Sequence, residues 1–104
     1  MAIMWTLVLF DLPVATRADR RHATRFRTFL QHEGYIMLQF SVYVRPGVGL
    51  EIDETSLRRL KGHLPPQGNV RMLQLTDRQM GRMQLLVGTP RSPEKYAAEQ
   101  LVLL

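Results

Sequence analysis

The first apolar run of the chain, residues 3–10, is the feature that most limits its fold. Seven of these eight residues are apolar, and Thr6 is the single interruption. A short continuous run of this kind is typical of a strand that is buried on both faces, which predicts a central strand. The run is followed by Asp11, and Pro13 prevents the strand from continuing. The sequence therefore predicts a carboxylate at the end of a central strand.

Two interpretations of Asp11 are open. An aspartate before a Leu-Pro pair often only hydrogen-bonds its own backbone in a turn. Alternatively, Asp11 carries chemistry as a metal ligand, because Mg²⁺ keeps several waters and is often held by one or two carboxylates. One aspartate per chain would become a pair if two copies met across a twofold axis. Such a site could activate water to hydrolyse a phosphodiester bond.

The composition limits the class of protein. A chain of 104 residues with 45% hydrophobic content predicts one folded domain. Since there is no cysteine, disulfides, thiolate nucleophiles and cysteine zinc sites are excluded. No apolar run approaches the length of a membrane span, and no basic region precedes the first apolar stretch. We therefore expect a cytoplasmic protein with no membrane partner.

The charge is strongly basic, with a net charge of +5 and twelve arginines among the fourteen basic residues. Because a guanidinium pairs with phosphate through a bidentate fork, an arginine-rich surface suits nucleic acid. A GC-rich genome that favours arginine codons would give the same composition, and composition alone does not separate the two explanations.

Periodicity and chain breakers predict the remaining elements, which are, in order, a helix over 16–33, strand structure over 35–45, a loop over 46–49, a helix over 51–63, a strand over 70–76, a turn over 76–79 and a strand over 80–87. Segment 35–45 is either one bent strand or two strands broken near 39–41. This order predicts an α+β sandwich of the ferredoxin-like type, with both helices on one face of an antiparallel sheet. The other face would need a partner, and a homodimer would provide one.

Arginines are concentrated on the first predicted helix. Arg17, Arg21 and Arg25 recur every four residues, and Arg20 and Arg27 flank this stripe. Phosphate contacts are predicted for Arg17, Arg20, Arg21, Arg45, Arg78 and Arg82.

Several familiar sites are missing from the sequence. It has no glycine-rich phosphate loop, no His-Glu-x-x-His motif and no nucleophile elbow, and its three histidines lack the spacing of metal ligands. It also lacks the Lys/Arg-Gly-Phe/Tyr signature of an RNA-recognition motif, which leaves Tyr35 and Tyr43 as the candidates for exposed strand aromatics.

The chain ends in an apolar tail. We expect the ferredoxin-like domain to occupy residues 1–88 and a docking tail to occupy residues 89–104. An exposed apolar terminus is a liability, so docking on the dimer or on a partner protein is predicted for Leu101, Val102, Leu103 and Leu104.

Five segments together resemble the CRISPR-associated protein two family, the small subunit of the spacer-acquisition machinery. They are Leu9-Phe10-Asp11-Leu12-Pro13, the arginine-rich helix that stops at Gly34, Gln39-Phe40-Ser41-Val42-Tyr43-Val44-Arg45, Leu64-Pro65-Pro66-Gln67-Gly68 and Thr76-Asp77-Arg78-Gln79-Met80. The resemblance spans residues 5–88, and the last two segments look most like the subgroup that accompanies single-protein RNA-guided effectors. Val14 and Ala15 depart from the more polar residues usual after the Leu-Pro pair.

The resemblance implies a ferredoxin-like homodimer in which the last strand, near residues 81–88, is exchanged onto the partner. It also implies that Asp11 is the family's metal-associated acid, bound to Mg²⁺ or Mn²⁺ and facing its symmetry mate. Members of this family have been described as metal-dependent endoribonucleases or DNases, and also as non-catalytic scaffolds between integrase dimers.

Three hypotheses for the function follow. In the first, the chain is a dimeric scaffold whose arginines hold the backbone of double-stranded DNA while its tail docks an integrase subunit of the CRISPR system. In the second, it is a Mg²⁺-dependent endonuclease that cleaves RNA or DNA at paired Asp11 residues. A third is a toxin-like ribonuclease that shares the fold.

Overall fold

Four strands and three helices form the regular structure of the computed structural model, which describes residues 3–49, 54–91 and 93. In chain order they are β1 (Ile3–Asp11), α1 (Arg17–His32), β2 (Ile36–Gln39), β3 (Val42–Val48), α2 (Glu54–Gly62), β4 (Asn69–Thr76) and α3 (Asp77–Gly81). The strands form one antiparallel sheet in the order β2-β3-β1-β4. The predicted α+β, ferredoxin-like arrangement is therefore confirmed, and β1 is a central strand.

Local signals explain the bounds of α1. The Thr16 hydroxyl accepts a hydrogen bond from the backbone N–H of Asp19 at 3.0 Å, and the Asp19 carboxylate accepts one from the N–H of Thr16 at 3.2 Å. This reciprocal capping box starts the helix. Gly34 follows the C-cap with a φ of +89°, a conformation that glycine adopts without strain. The helix predicted over 16–33 is confirmed.

The two faces of the sheet differ in what covers them. On the first, which we call the helix face, Val8 and Phe10 of β1 pack against Phe26 and Leu30 of α1 and Leu60 of α2. The second face, which we call the open face, carries the side chains that alternate along the strands with those of the helix face. Its apolar residues include Trp5, Leu7, Leu9, Val42, Val44, Ile36 and Leu73. The sheet thus has apolar residues on both faces, as the sequence of β1 predicted.

Apolar side chains remain accessible on the open face. Met80 of α3 packs there with Trp5, Leu7 and Val44. Leu73 nevertheless keeps 52% of its surface exposed and Ile36 keeps 47%. Exposed apolar surface of this kind is typical of a face that is covered by a partner.

Two predicted connections are wrong. Residues 46–48, predicted as part of a loop, extend β3, and Pro46 lies opposite Trp5. The pairing of β2 with β3 ends at Val44, so the missing N–H of Pro46 breaks no bond to β2. Residues 77–81, predicted as a turn and the start of a strand, form α3.

A capping box explains why α3 begins at this point. The Thr76 hydroxyl accepts a hydrogen bond from the N–H of Gln79 at 3.0 Å, and the Gln79 side chain accepts one from the N–H of Thr76 at 2.9 Å. The strand predicted over 80–87 is absent from this single chain, in which residues 83–91 have neither helix nor strand structure. Exchange of residues 81–88 with a second copy stays a prediction.

Other predictions fall beyond what the structure describes. Leu101, Val102, Leu103 and Leu104 lie outside the described residues, so the predicted docking tail and the division at residue 88 stay predictions. Over the described ranges, no helix has the length and the apolar content needed to cross a bilayer.

Candidate nucleic-acid interface

Asp11 is the last residue of β1 and its side chain is exposed. Its Cα lies opposite that of Asn69 in β4. Because side chains alternate along a strand, Asp11 points to the open face, as Leu9 does, while Phe10 points to the helix face. Among the described residues, no hydrogen bond or ion pair involves the Asp11 carboxylate. Both of its oxygens are therefore available to a ligand.

Gly68 holds the end of β1 in place. Its φ is +95°, and a Cβ added there would lie 2.5 Å from the Asp11 carbonyl oxygen and 2.9 Å from a methyl group of Leu12. The chain thus passes directly against the backbone of Asp11 in a conformation suited to glycine. The turn that precedes β4 consequently fixes where the carboxylate of Asp11 is presented.

The described part of one chain does not enclose a metal ion. It contains no group of three or more His, Cys, Asp or Glu side chains that could hold one. His63 is engaged elsewhere, since its Nδ1 lies 2.7 Å from the Arg59 carbonyl oxygen and its ring stacks on Phe29 at a centroid distance of 4.1 Å. The free oxygens of Asp11 fit the predicted site, in which Mg²⁺ would be shared with the Asp11 carboxylate of a second copy.

Three of the predicted phosphate-binding residues lie near Asp11. Arg17, Arg20 and Arg21 occupy the start of α1, which follows β1 after a short connection, and all three are exposed. Arg20 donates to the carbonyl oxygens of Val14 at 3.0 Å and Ala15 at 3.4 Å, which ties this connection to the helix. This end of the sheet therefore combines a free carboxylate with a cluster of positive charge.

Arg78 and Arg82 lie at the opposite end of the sheet. They belong to α3 and its C-cap, which follow Thr76, and Thr76 pairs with Met4 rather than with Asp11. Met4 and Asp11 are seven residue steps apart along β1, which corresponds to about 24 Å. A duplex rises about 3.4 Å per base pair, so a duplex that runs along β1 would cover this distance in about seven base pairs.

Arg45 has a structural role at the end of α1. Its guanidinium donates to the carbonyl oxygen of Glu33 at 2.8 Å and lies 4.8 Å from the centroid of the Tyr35 ring. A cation at this position donates a hydrogen bond to a free carbonyl of the helix end and interacts favourably with the helix dipole. Contact between Arg45 and phosphate stays a prediction.

The two tyrosines predicted as candidates for exposed strand aromatics are not exposed. Tyr35 and Tyr43 are buried, with 5% and 2% exposure, so neither is an exposed strand aromatic. Phe40 is exposed instead, in the break between β2 and β3. This break confirms the second of the two alternatives for segment 35–45.

Arg27 makes contacts that were not predicted from the sequence. The guanidinium of Arg27 lies 4.0 Å from the centroid of the Phe40 ring and 4.9 Å from that of Phe10. It donates to the Ser41 hydroxyl at 3.0 Å. The one available signal was that Arg27 directly follows Phe26, at the margin of the apolar side of α1.

Known proteins resemble this chain over most of its length. A family model described as CRISPR associated protein Cas2 matches residues 4–83. The CRISPR-associated endoribonuclease Cas2 of Acidovorax ebreus is 49% identical over 101 residues, which cover 96% of this chain and 99% of the relative. The proteins of the same name from Parvibaculum lavamentivorans and Flavobacterium psychrophilum are 40% and 38% identical, and the matches cover 96% of this chain and 99% and 87% of the relatives.

Proposed function

The chain belongs to the CRISPR associated protein Cas2 family, and from this premise we propose that it is a homodimeric scaffold for double-stranded DNA in spacer acquisition. In this role it would bridge integrase subunits of the CRISPR system. The observation that carries the proposal is the presence of exposed arginines at both ends of the sheet, near Asp11 and on α3.

Backbone binding needs positive charge in register with phosphates and does not need contacts to base edges. The two clusters follow opposite ends of the sheet, and the strand positions next to them, Asp11 and Met4, are about 24 Å apart along β1. A rigid duplex presents phosphates over such a distance, and a dimer would double the number of clusters along it. The net charge of +5 supports the same proposal.

The open face supports the homodimer. Leu73 and Ile36 are about half exposed there, and a second copy would remove this apolar surface from water. β4 is an edge strand, so its outer side has free backbone groups that could pair with another strand. Residues 81–88 of a second copy would provide that strand.

A second candidate function is a metal-dependent endoribonuclease or DNase. The relatives named endoribonucleases favour it, as does the unpaired carboxylate of Asp11. Mg²⁺ or Mn²⁺ would supply an activated water when bound between two Asp11 carboxylates. The chain itself would hold the ion through Asp11 and would position the phosphate backbone through Arg17 and Arg21.

The experiment that separates the candidates compares wild type with Asp11→Ala. The purified proteins are incubated with end-labelled single-stranded RNA and with duplex DNA, in Mg²⁺ and in EDTA. Glu54→Ala is the matched control, because it removes another exposed carboxylate, at the start of α2. Duplex affinity is measured over a salt series in the same samples.

A scaffold should bind duplex with an affinity that falls steeply with salt, and Asp11→Ala should leave binding and dimerisation unchanged. Affinity that is flat between low and moderate salt would contradict it. A nuclease should cleave only with the metal, and its activity should vanish in Asp11→Ala but not in Glu54→Ala. Equal cleavage by all three proteins would refute the assignment of hydrolysis to Asp11.

A further inference from the structure

Phe40 is the aromatic side chain that the described structure leaves most exposed, with 75% of its surface accessible. It lies in the two-residue break between β2 and β3. The next residue, Ser41, has a φ of +68°, a left-handed conformation that is uncommon for residues other than glycine. A break with a strained backbone therefore presents an apolar ring to water.

The Phe40 ring is not loose, because Arg27 supports it. The guanidinium carbon lies 4.0 Å from the ring centroid, which is within the range of a cation–π contact. The same guanidinium lies 4.9 Å from the Phe10 ring and donates through Nη2 to the Ser41 hydroxyl at 3.0 Å. Arg27 is thus fixed by β1 and by the break, and it contacts one side of the Phe40 ring.

The placement of Arg27 leaves one donor unsatisfied. Its Nη1 is buried and has no hydrogen-bond partner among the described residues. Buried donors without an acceptor are rare and each calls for an explanation. The Phe10 and Phe40 rings and the Ser41 hydroxyl, all of which the guanidinium contacts, account for its position.

We propose that Phe40 and Arg27 form a stacking platform for an unpaired nucleobase. The inference rests on the proposed function, since it names a second class of ligand, single-stranded nucleic acid, for the same arginine-rich end of the sheet. Unpaired bases stack on aromatic rings and on arginine planes, and they do so without regard to sequence. The exposed surface of Phe40 provides the ring, and Arg27 adds positive charge next to it.

The surroundings favour a nucleobase over an apolar peptide. Arg20 lies two turns before Arg27 on the same side of α1, and Arg17 and Arg21 extend the positive charge. A polyanion is attracted to this surface, and its bases can then stack.

The platform lies next to the end of β1. The N–H of Phe10 donates to the carbonyl oxygen of Ser41 at 3.0 Å, so the break runs beside the last residues of the strand. Phe10 and Asp11 point to opposite faces of the sheet. The platform is therefore at the same end of the sheet as Asp11 but on the other face.

The test uses Phe40→Ala, Phe40→Leu and Phe40→Tyr in the full chain. Val48→Ala is the matched control, because Val48 is 68% exposed and lies at the other end of β1, opposite Ile3. The probes are a single-stranded oligonucleotide that contains 2-aminopurine, the same strand with abasic sites, and a blunt duplex. Affinity, 2-aminopurine fluorescence and the fraction of dimer are measured for each protein.

We expect wild type and Phe40→Tyr to quench the fluorescence. Phe40→Ala and Phe40→Leu should lose about tenfold in affinity for the single strand, a typical effect of removing one stacked base. Their affinity for the blunt duplex and for the abasic strand should change by less than about twofold, because phosphate contacts remain. Val48→Ala should behave as wild type.

Three results would overturn the platform. If Phe40→Ala binds the single strand as wild type does while the duplex still binds, the platform is refuted and the scaffold stands. If Phe40→Ala changes the fraction of dimer, Phe40 is a protein contact instead. If wild type binds none of the three probes, the proposed function fails and the platform fails with it.

Discussion

Replacing Gly68 with alanine tests the packing that holds Asp11. Gly68 has a φ of +95°, and a left-handed conformation costs an alanine about 1–2 kcal/mol. The added Cβ would also lie 2.5 Å from the Asp11 carbonyl oxygen and 3.1 Å from the Leu12 Cα, so backbone must move. Relief of such overlap costs about 1–3 kcal/mol. Gly68→Ala should therefore lower the free energy of unfolding by about 2–5 kcal/mol.

Two other glycines separate the two causes. Gly49 has a φ of +112°, and no atom of the described residues lies within 4 Å of an added Cβ, so Gly49→Ala should show the conformational cost alone. Gly47 has neither a positive φ nor a close neighbour, so Gly47→Ala should change stability by less than about 0.5 kcal/mol. Urea unfolding is followed by circular dichroism at one protein concentration, because dimerisation would shift the midpoint. A Gly68→Ala variant as stable as Gly49→Ala would refute close packing against Asp11.

Two further substitutions have distinct expected outcomes. Asp77→Ala should lower the free energy of unfolding by about 1–3 kcal/mol, because it removes the buried carboxylate oxygen that lies 2.6 Å from the Trp5 indole nitrogen. Asp77→Asn retains an acceptor, so it should lower the free energy of unfolding by less in the same urea titration. Arg45→Ala should lower Tm, because the Glu33 carbonyl loses its hydrogen-bond donor. Arg21→Ala should leave Tm unchanged and lower the slope of log affinity for duplex against log salt concentration by about 1. The reverse pattern in scanning calorimetry and salt titrations would contradict these roles.

The elements with strong local signals could be predicted from the sequence. The apolar residues of β1 are nearly continuous, so its central position followed from the run itself. The ends of α1 could be predicted from the capping box at Thr16 and the stop at Gly34, because both signals act within one turn of the helix. α3 was missed because five residues are too few to show helical periodicity, although its capping box can be read from the sequence.

Features that depend on distant residues could not be predicted. Whether a strand tolerates Pro46 depends on which neighbour needs its N–H, and the sequence does not give that neighbour. The burial of Tyr43 depends on α1 covering its face of the sheet. The contact between Arg27 and Phe40 joins a helix to a strand break, and neither residue has a local signature for it.

The position of β1 in the sheet also has a consequence for when the protein acquires its candidate site. The two strands that pair with β1 both come later in the chain. The second of them, β4, leaves the ribosome only after α2 has been made. The Trp5–Asp77 hydrogen bond likewise joins residues 72 positions apart. Contacts of such long range close late in folding, because the loop between them must be ordered first. During synthesis the first strand is therefore an apolar segment without its full sheet, and Asp11 reaches its final setting only when almost the whole domain has emerged.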